Sequence, residues 1–147
     1  MRLRALSPGW RLRRLIAVPG SVRNMVISRA QGACKYYAIH QKWEPFHAYH
    51  VEHIIARQHR GTDDPSNLAL ACHHCNLFKG PNLTSRDPEG DALVSLFHPH
   101  QHSWLEHFKI QSAHVAGLTD IGRTTVFLLE MNADQRVDLR LLNEIRG

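Results

Sequence analysis

The segment from His50 to Gly80 restricts most strongly what this chain can fold into. Its first part, residues 49–55, alternates apolar and polar residues with the period of a half-buried strand. Residues 57–67 are rich in turn formers and predict a loop. Residues 68–71 are apolar and predict a second strand that pairs with the first. A short helix should then run over residues 74–79, because a Gly-Pro pair stops it. The segment therefore predicts a β-hairpin packed against a helix.

Three blocks within this segment also carry a family resemblance. They are Glu52-His53-Ile54 on the first strand, Asn67-Leu68 at the second strand, and Cys72-x-x-Cys75-Asn76-x-x-Lys79-Gly80 entering the helix. In this order and at this spacing they resemble the HNH endonucleases. The resemblance implies an α+β protein with a ββα-metal core, and an enzyme that hydrolyses DNA phosphodiester bonds. It implies His53 as the general base and Asn67 as the residue that braces the loop. It also implies Glu52 and Asn76 as ligands of a divalent metal.

The residue types suit this chemistry. A hard cation such as Mg²⁺ or Mn²⁺ keeps several waters and takes one or two protein oxygens, so Glu52 and the amide oxygen of Asn76 would be a sufficient protein set. An imidazole can accept a proton from water near neutral pH, which is the role expected of His53. Lys79 lies one helical turn after Asn76 and is expected to point its ammonium at a neighbouring phosphate.

Three further residues near the predicted site are candidates for contacts. Arg57 and Arg60 lie in the predicted loop and can contact phosphate, although exposed loop arginines are often only solvated. His50 shares a strand face with Glu52 because side chains alternate along a strand. His50 is therefore a candidate either to hold the Glu52 carboxylate or to touch substrate.

The three cysteines are candidate ligands of a structural zinc. Cys72 and Cys75 form a Cys-x-x-Cys pair, which alone is also typical of a zinc ribbon without catalytic activity. Family members commonly have a second such pair where this chain has Cys34-Lys35-Tyr36-Tyr37. A structural zinc takes four ligands, and the thiols supply three. The sequence leaves open whether His40 completes the site or whether Tyr37 packs a corner that holds no zinc.

Composition narrows the class of partner. A net charge of +5 and a sequence pI near 9.5 favour a polyanion, and double-stranded DNA is the partner expected. No apolar run approaches the ~20 residues of a membrane span, and three cysteines do not make a disulfide framework. We therefore expect a soluble cytoplasmic protein, and no protein partner can be inferred. The alternative function is a nucleic-acid-binding protein that keeps the ββα frame without turnover.

The chain divides into a basic arm and one predicted domain. Residues 1–20 contain five arginines and no acid, which indicates either an arm that binds a nucleic-acid backbone or a disordered extension. Residues 21–147 are predicted to form a single HNH domain, with its core at 34–81 and a C-terminal extension at 82–147. A helix over about residues 22–30 should precede the core, with Ser21 as its N-cap.

The extension is predicted from weaker patterns. Residues 81–91 indicate a loop, and strands are expected over 92–97, 104–108 and 114–116. Thr119 is expected to cap a helix over residues 120–131, and a last helix over 134–145 is expected to bury Val137, Leu141 and Leu142. Short blocks of the extension, such as Leu96-Phe97-His98-Pro99, resemble the tail of one bacterial HNH branch.

Overall fold

The computed structural model describes residues 17–146, so most of the predicted basic arm lies outside the described residues. Strand β1 (His50–His53) pairs antiparallel with β2 (Leu68–Ala71). In their register Glu52 lies opposite Ala69 and His53 opposite Leu68. The helix that follows runs over His73–Lys79 and ends at Gly80, whose φ of +50° is the left-handed backbone that glycine adopts without strain. The predicted hairpin and helix of an α+β fold are confirmed.

The first described helix, α1 (Gly20–Arg29), supports the hairpin from its N-terminal side. Its Arg29 Nη2 donates hydrogen bonds to the carbonyl oxygens of Pro65, at 3.0 Å, and Leu68, at 2.7 Å. Helix α1 therefore holds the chain where it enters β2. Ser21 lies inside α1 and Pro19 occupies the N-cap without a side-chain bond, so the predicted Ser21 cap is wrong.

The chain between the strands is a loop that contains two single turns of 3₁₀-helix, Arg57–His59 and Pro65–Asn67. Gly61 lies at a close approach within this loop. A Cβ at this position would lie 1.6 Å from the carbonyl oxygen of Ile55. The loop can therefore fold back on the end of β1 only because residue 61 has no side chain.

The extension adds two hairpins and three helices to the described chain. In order they are β3 (Thr84–Arg86), β4 (Leu93–Ser95), α3 (Trp104–His107), β5 (Phe108–Gln111), β6 (His114–Gly117), α4 (Asp120–Leu128) and α5 (Asp134–Arg146), where α2 denotes His73–Lys79. β3 pairs with β4, and β5 with β6, both antiparallel. Thr119 caps α4 as expected, since its Oγ1 accepts from the amide of Gly122.

Two predictions for the extension are wrong. The predicted loop over 81–91 contains β3, which forms because it pairs with β4 in a hairpin. The predicted strand over 104–108 begins as the helical turn α3, and β5 starts only at Phe108. Trp104 itself packs on the hairpin region: its Nε1 donates to the carbonyl oxygen of Tyr36 at 2.8 Å. A tertiary contact thus decides the conformation of this short segment.

The hairpin and the extension share one hydrophobic core. Fully buried side chains from both parts include Tyr36, Tyr37, Leu68, Leu70, Phe108, Leu129 and Met131. The ring of Phe97 packs edge to face on Tyr36 and on Phe108, with centroids 6.3 and 5.1 Å apart. Such aromatic pairs add about 0.5–1.5 kcal/mol beyond burial of their area. The extension therefore stabilises the segment that carries the predicted site.

Of the three residues that helix α5 is expected to bury, Val137 is half-buried and the two leucines are exposed. Leu141 and Leu142 are 42% and 48% exposed, whereas Arg136 and Arg140 are buried on the side that faces the core. The reason is that both guanidinium groups pack on the ring of Tyr37, at 5.4 and 3.9 Å from its centroid. Within residues 17–146 no helix has the length and apolar character needed to cross a membrane.

Candidate functional site

Asn67 fixes the loop that leaves β1. Its Nδ2 donates to the carbonyl oxygens of Ile55 and Thr62, at 3.0 and 2.9 Å, and its Oδ1 accepts from the amide of Ile55 at 2.9 Å. Three bonds from one buried amide satisfy backbone groups that no strand partner reaches. The structure thus places Asn67 as a brace of the loop, which is the position expected from the sequence.

His53 lies on the opposite face of β1 from Glu52 and meets a carboxylate from the loop. Its Nε2 lies 2.7 Å from Oδ1 of Asp63. Arg57 shares this oxygen: its Nε donates to it at 3.1 Å. The hydrogen bond from His53, together with Arg57, holds the pKa of Asp63 below its ordinary value. The Asp63 carboxylate can therefore accept a hydrogen bond from the protonated Nε2 of a neutral imidazole.

Asp63 is a residue that the sequence did not single out. It lies among the turn formers of the loop, and nothing in the local pattern separates it from its neighbour Asp64. Arg57, a candidate for phosphate contact, is half-buried and paired with Asp63 in the structure. Arg60 is exposed and occupies a left-handed conformation, with φ of +64°.

Glu52 points into the protein, towards α2 and the segment after α1. The residue is only 5% exposed. Its Oε1 accepts a hydrogen bond from the hydroxyl of Tyr36, and its Oε2 lies 3.7 Å from Nζ of Lys79. Burial raises the pKa of Glu52 to about 7, against the opposing effects of Lys79 and Tyr36. Burial and the nearby carboxylate raise the pKa of Tyr36 well above its usual range, so its hydroxyl remains a donor.

The sequence predicts that Lys79 points its ammonium at a phosphate, but in the structure Lys79 points into the protein. It is 2% exposed, and its Nζ donates to the carbonyl oxygen of Ile54 at 3.0 Å. The Lys79 ammonium therefore compensates the negative charge of Glu52, because a carboxylate in the interior needs a compensating positive charge. The sequence could not show this, because a lysine one turn after Asn76 can face either solvent or β1.

Two contacts show how α2 lies along β1. At its start, His73 Nδ1 is 3.2 Å from His50 Nε2. At its end, Lys79 reaches the carbonyl of Ile54. Asn76, which is half-buried, lies midway along α2, between these two contacts, as Glu52 does along β1. Glu52 and Asn76 therefore lie on neighbouring elements, and a carboxylate and an amide are the oxygen donors that hard divalent cations prefer.

His50 does not hold Glu52. The partner of the Glu52 carboxylate is Tyr36, while His50 is turned to His73. Burial, with the neighbouring His73, Arg23 and His47, lowers the pKa of His50. The predicted contact with the Glu52 carboxylate is therefore wrong.

The three cysteines form a separate, buried cluster. The sulfur atoms of Cys34, Cys72 and Cys75 all lie within 4.8 Å of one another, so they can hold a metal ion. The amide of Tyr37 donates to Cys34 Sγ at 3.3 Å, and the amide of Cys75 donates to Cys72 Sγ at 3.4 Å. Amide-to-sulfur bonds of this kind stabilise thiolates, which are the form that binds metal.

Ionisation within this cluster is uneven. Burial disfavours a thiolate at Cys34, but hydrogen bonds from the thiols of Cys72 and Cys75 outweigh it and lower the pKa of Cys34. The bond to Cys34 raises the pKa of Cys72, and burial raises the pKa of Cys75. One thiol of the cluster therefore loses its proton more readily than the other two, because the neighbouring thiols donate hydrogen bonds to the thiolate.

Neither candidate for a fourth ligand is directed to this cluster. Tyr37 donates its hydroxyl to the carbonyl oxygen of Arg136, and burial raises its pKa. His40 accepts from the amide of Lys42 through Nδ1, at 3.0 Å, and caps a 3₁₀-helix. A Cβ on Gly32 would lie 2.5 Å from its Nε2, so that side of the ring faces the backbone. The metal-binding group found among residues 17–146 contains the three thiols without His40.

Comparison with known proteins supports the resemblance seen in the sequence. Residues 34–82 match the family model described as HNH endonuclease. No curated protein and no solved structure is significantly similar to the chain. The matched residues contain the hairpin, the loop, α2 and the three cysteines.

Proposed function

Because residues 34–82 match the HNH endonuclease family model, we propose that this protein is a metal-dependent endonuclease that hydrolyses phosphodiester bonds in DNA. The observation that carries the proposal is the paired geometry at His53. Its imidazole is partly exposed, with 16% of the side chain accessible, and is oriented by Asp63 at 2.7 Å. A base that removes a proton from water must be both accessible and correctly oriented.

The bond to Asp63 determines which nitrogen of His53 acts. A carboxylate accepts only, so Nε2 carries the proton and Nδ1 of the neutral ring keeps its lone pair. Nδ1 is then the atom that takes a proton from the attacking water. As the ring becomes positive, the negative charge of Asp63 stabilises it, which is the role a carboxylate plays beside a catalytic histidine in other hydrolases.

Glu52 and Asn76 are the residues proposed to hold a divalent cation. Their oxygen atoms suit Mg²⁺ or Mn²⁺, and such an ion supplies charge neutralisation on the phosphate and help for the leaving oxygen. Tyr36 and Lys79 orient the Glu52 carboxylate, and a carboxylate that accepts one hydrogen bond keeps further lone pairs for a ligand.

Double-stranded DNA is the proposed substrate. The chain has a net charge of +5, and Arg60 is exposed in the loop that carries Asp63. Contacts between basic side chains and phosphates position the DNA backbone without reading its base sequence. We therefore expect weak sequence preference.

One observation favours the alternative, a nucleic-acid-binding protein without turnover. Glu52 is 5% exposed and already bound by Tyr36 and Lys79, so a metal ion must compete with a resident ammonium. The two functions differ in a direct assay. Supercoiled plasmid is incubated with the purified protein and Mg²⁺, with Mn²⁺, or with chelator. Nicking that requires the metal supports the endonuclease. DNA binding without nicking under all three conditions supports the alternative.

A further inference from the structure

Two histidines face each other where the start of β1 meets the start of α2. The proposed nuclease chemistry does not use them. Nε2 of His50 lies 3.2 Å from Nδ1 of His73. A third imidazole, His47, stacks on His73 with ring centroids 4.4 Å apart and an interplanar angle of 20°. His50 and His73 are half-buried and His47 is exposed, so the pair is accessible from solvent.

The position of the pair follows from the periods of strand and helix. His50 precedes Glu52 by two residues and lies on the same face of β1, and His73 precedes Asn76 by three residues and lies on the same side of α2. The pair is therefore beside the Glu52–Asn76 position and separate from it.

We infer that His50 and His73 form a binding site for a divalent ion of intermediate softness, such as Zn²⁺ or Ni²⁺. Two nitrogens 3.2 Å apart can each lie about 2.1 Å from one ion, with an angle of about 100° at the metal. That angle suits both tetrahedral and octahedral coordination. Imidazole prefers such ions, whereas oxygen donors prefer Mg²⁺. Residues of β1 and α2 then supply one nitrogen site and one oxygen site for different metals.

Both rings can supply a lone pair without a change of charge. A contact at 3.2 Å between two imidazole nitrogens requires one of them to accept, so one lone pair already faces the gap. The other ring moves its proton to its second nitrogen, which is a change of tautomer in a neutral side chain. Rotation of the rings then directs both lone pairs at the ion. Water is available for the remaining positions, while His47 stacks on the ring of His73.

A cation nearby limits the affinity of this site. Arg23 influences His50 electrostatically, and its Nη2 is held by the carbonyl oxygen of Tyr49 at 3.1 Å. Its fixed positive charge opposes a second cation, so we expect the site to bind metal moderately. A bound ion ties the start of α2 to β1, and a ligand that binds only the folded protein stabilises it by mass action.

The test is Ni²⁺ binding by the full chain, measured by calorimetry without DNA. His73→Gln and His50→Gln each remove one nitrogen, and the Ni²⁺ affinity should fall at least about tenfold in both. His114→Gln is the matched control, since His114 is exposed on the β5–β6 hairpin and bonds to Ser112. It should bind Ni²⁺ as the wild type does. Ni²⁺ should also raise the melting temperature of the wild type and leave that of His73→Gln unchanged.

Co²⁺ spectra separate this site from the cysteine cluster. Thiolate ligands give intense near-ultraviolet charge-transfer bands, whereas imidazole ligands do not. Co²⁺ bound without these bands, and lost in His73→Gln, would support the site. Equal Ni²⁺ affinity in the wild type and both histidine variants would overturn it. Co²⁺ binding that is entirely accounted for by thiolate bands would also overturn the proposed histidine site. Because no DNA is present, the outcome is independent of whether the protein is a nuclease.

Discussion

Nε2 of His53 and Oδ1 of Asp63 lie 2.7 Å apart, on the face of β1 opposite Glu52. This contact leaves Nδ1 of the ring free for water. It joins a strand residue to a loop residue ten positions later, and Asn67 holds that loop in place.

The first prediction concerns this contact. Asp63→Asn should slow plasmid nicking by about 10- to 100-fold, because an amide stabilises neither the required tautomer nor the positive ring that forms. The rate should be measured at saturating protein in a single turnover. Asp64→Asn is the matched control, since Asp64 pairs with Thr62 and should leave the rate unchanged. An Asp63→Asn variant as fast as the wild type would show that Asp63 only shapes the loop.

His53→Ala should reduce nicking by about 10²- to 10⁴-fold while preserving the fold and DNA binding, because the imidazole acts as base. His59→Ala, which removes an exposed imidazole from the same loop, should remain active. Retention of more than a third of wild-type activity by His53→Ala would contradict the assignment. Circular dichroism and a DNA mobility shift would show that the variant is folded and binds.

Asn76→Ala should raise the Mg²⁺ or Mn²⁺ concentration needed for half-maximal nicking, because one of two proposed protein ligands is removed. The measurement is a metal titration of the nicking rate. Asn82→Ala serves as control, since Asn82 bonds to the carbonyl of Lys79 and is not a proposed ligand. An unchanged half-maximal concentration in Asn76→Ala would exclude it as a ligand.

The buried Glu52 predicts how stability depends on pH. Its pKa is raised from 4.5 to about 7 in the folded protein, so the folded state binds more protons than the unfolded state between these values. Its contribution to the free energy of unfolding is therefore largest below about pH 4.5 and falls as pH rises towards 7. Urea denaturation in chelator should show that Glu52→Gln removes this decline, a difference of about 1–3 kcal/mol across the interval. Parallel pH profiles of wild type and Glu52→Gln would contradict the prediction.

The last prediction concerns the cysteine cluster, which has three thiols and no fourth ligand directed to it among the described residues. Wild type should bind zinc more weakly than a four-thiolate site, or not at all. Tyr37→Cys should create a fourth thiolate, and zinc should raise the melting temperature of this variant more than that of wild type. Tyr37→Ser has a similar cavity without a thiolate and should not gain stability from zinc. One chelator-resistant zinc per wild-type chain, found by elemental analysis, would contradict the prediction.

The sequence by itself determined the elements whose signals are local. The alternation before His53, the apolar run from Leu68 and the stop at Gly80 lie within a few residues of the structure they specify. Asn67 is also local, because the groups it bonds, at Ile55 and Thr62, belong to the loop it closes. Strand, turn and cap preferences act over such short distances.

Only the tertiary structure decided the partners of the functional side chains. Tyr36 lies 16 residues before Glu52, and Lys79 lies 27 after it, yet all three meet in the interior. Arg136 reaches Tyr37 across 99 positions, which directs the tyrosine hydroxyl away from the thiols. Helix α5 therefore buries arginines where its periodicity predicted leucines. A polar side chain accepts whichever partner the packed chain brings within about 3 Å, and that depends on how distant elements pack, which no local pattern records.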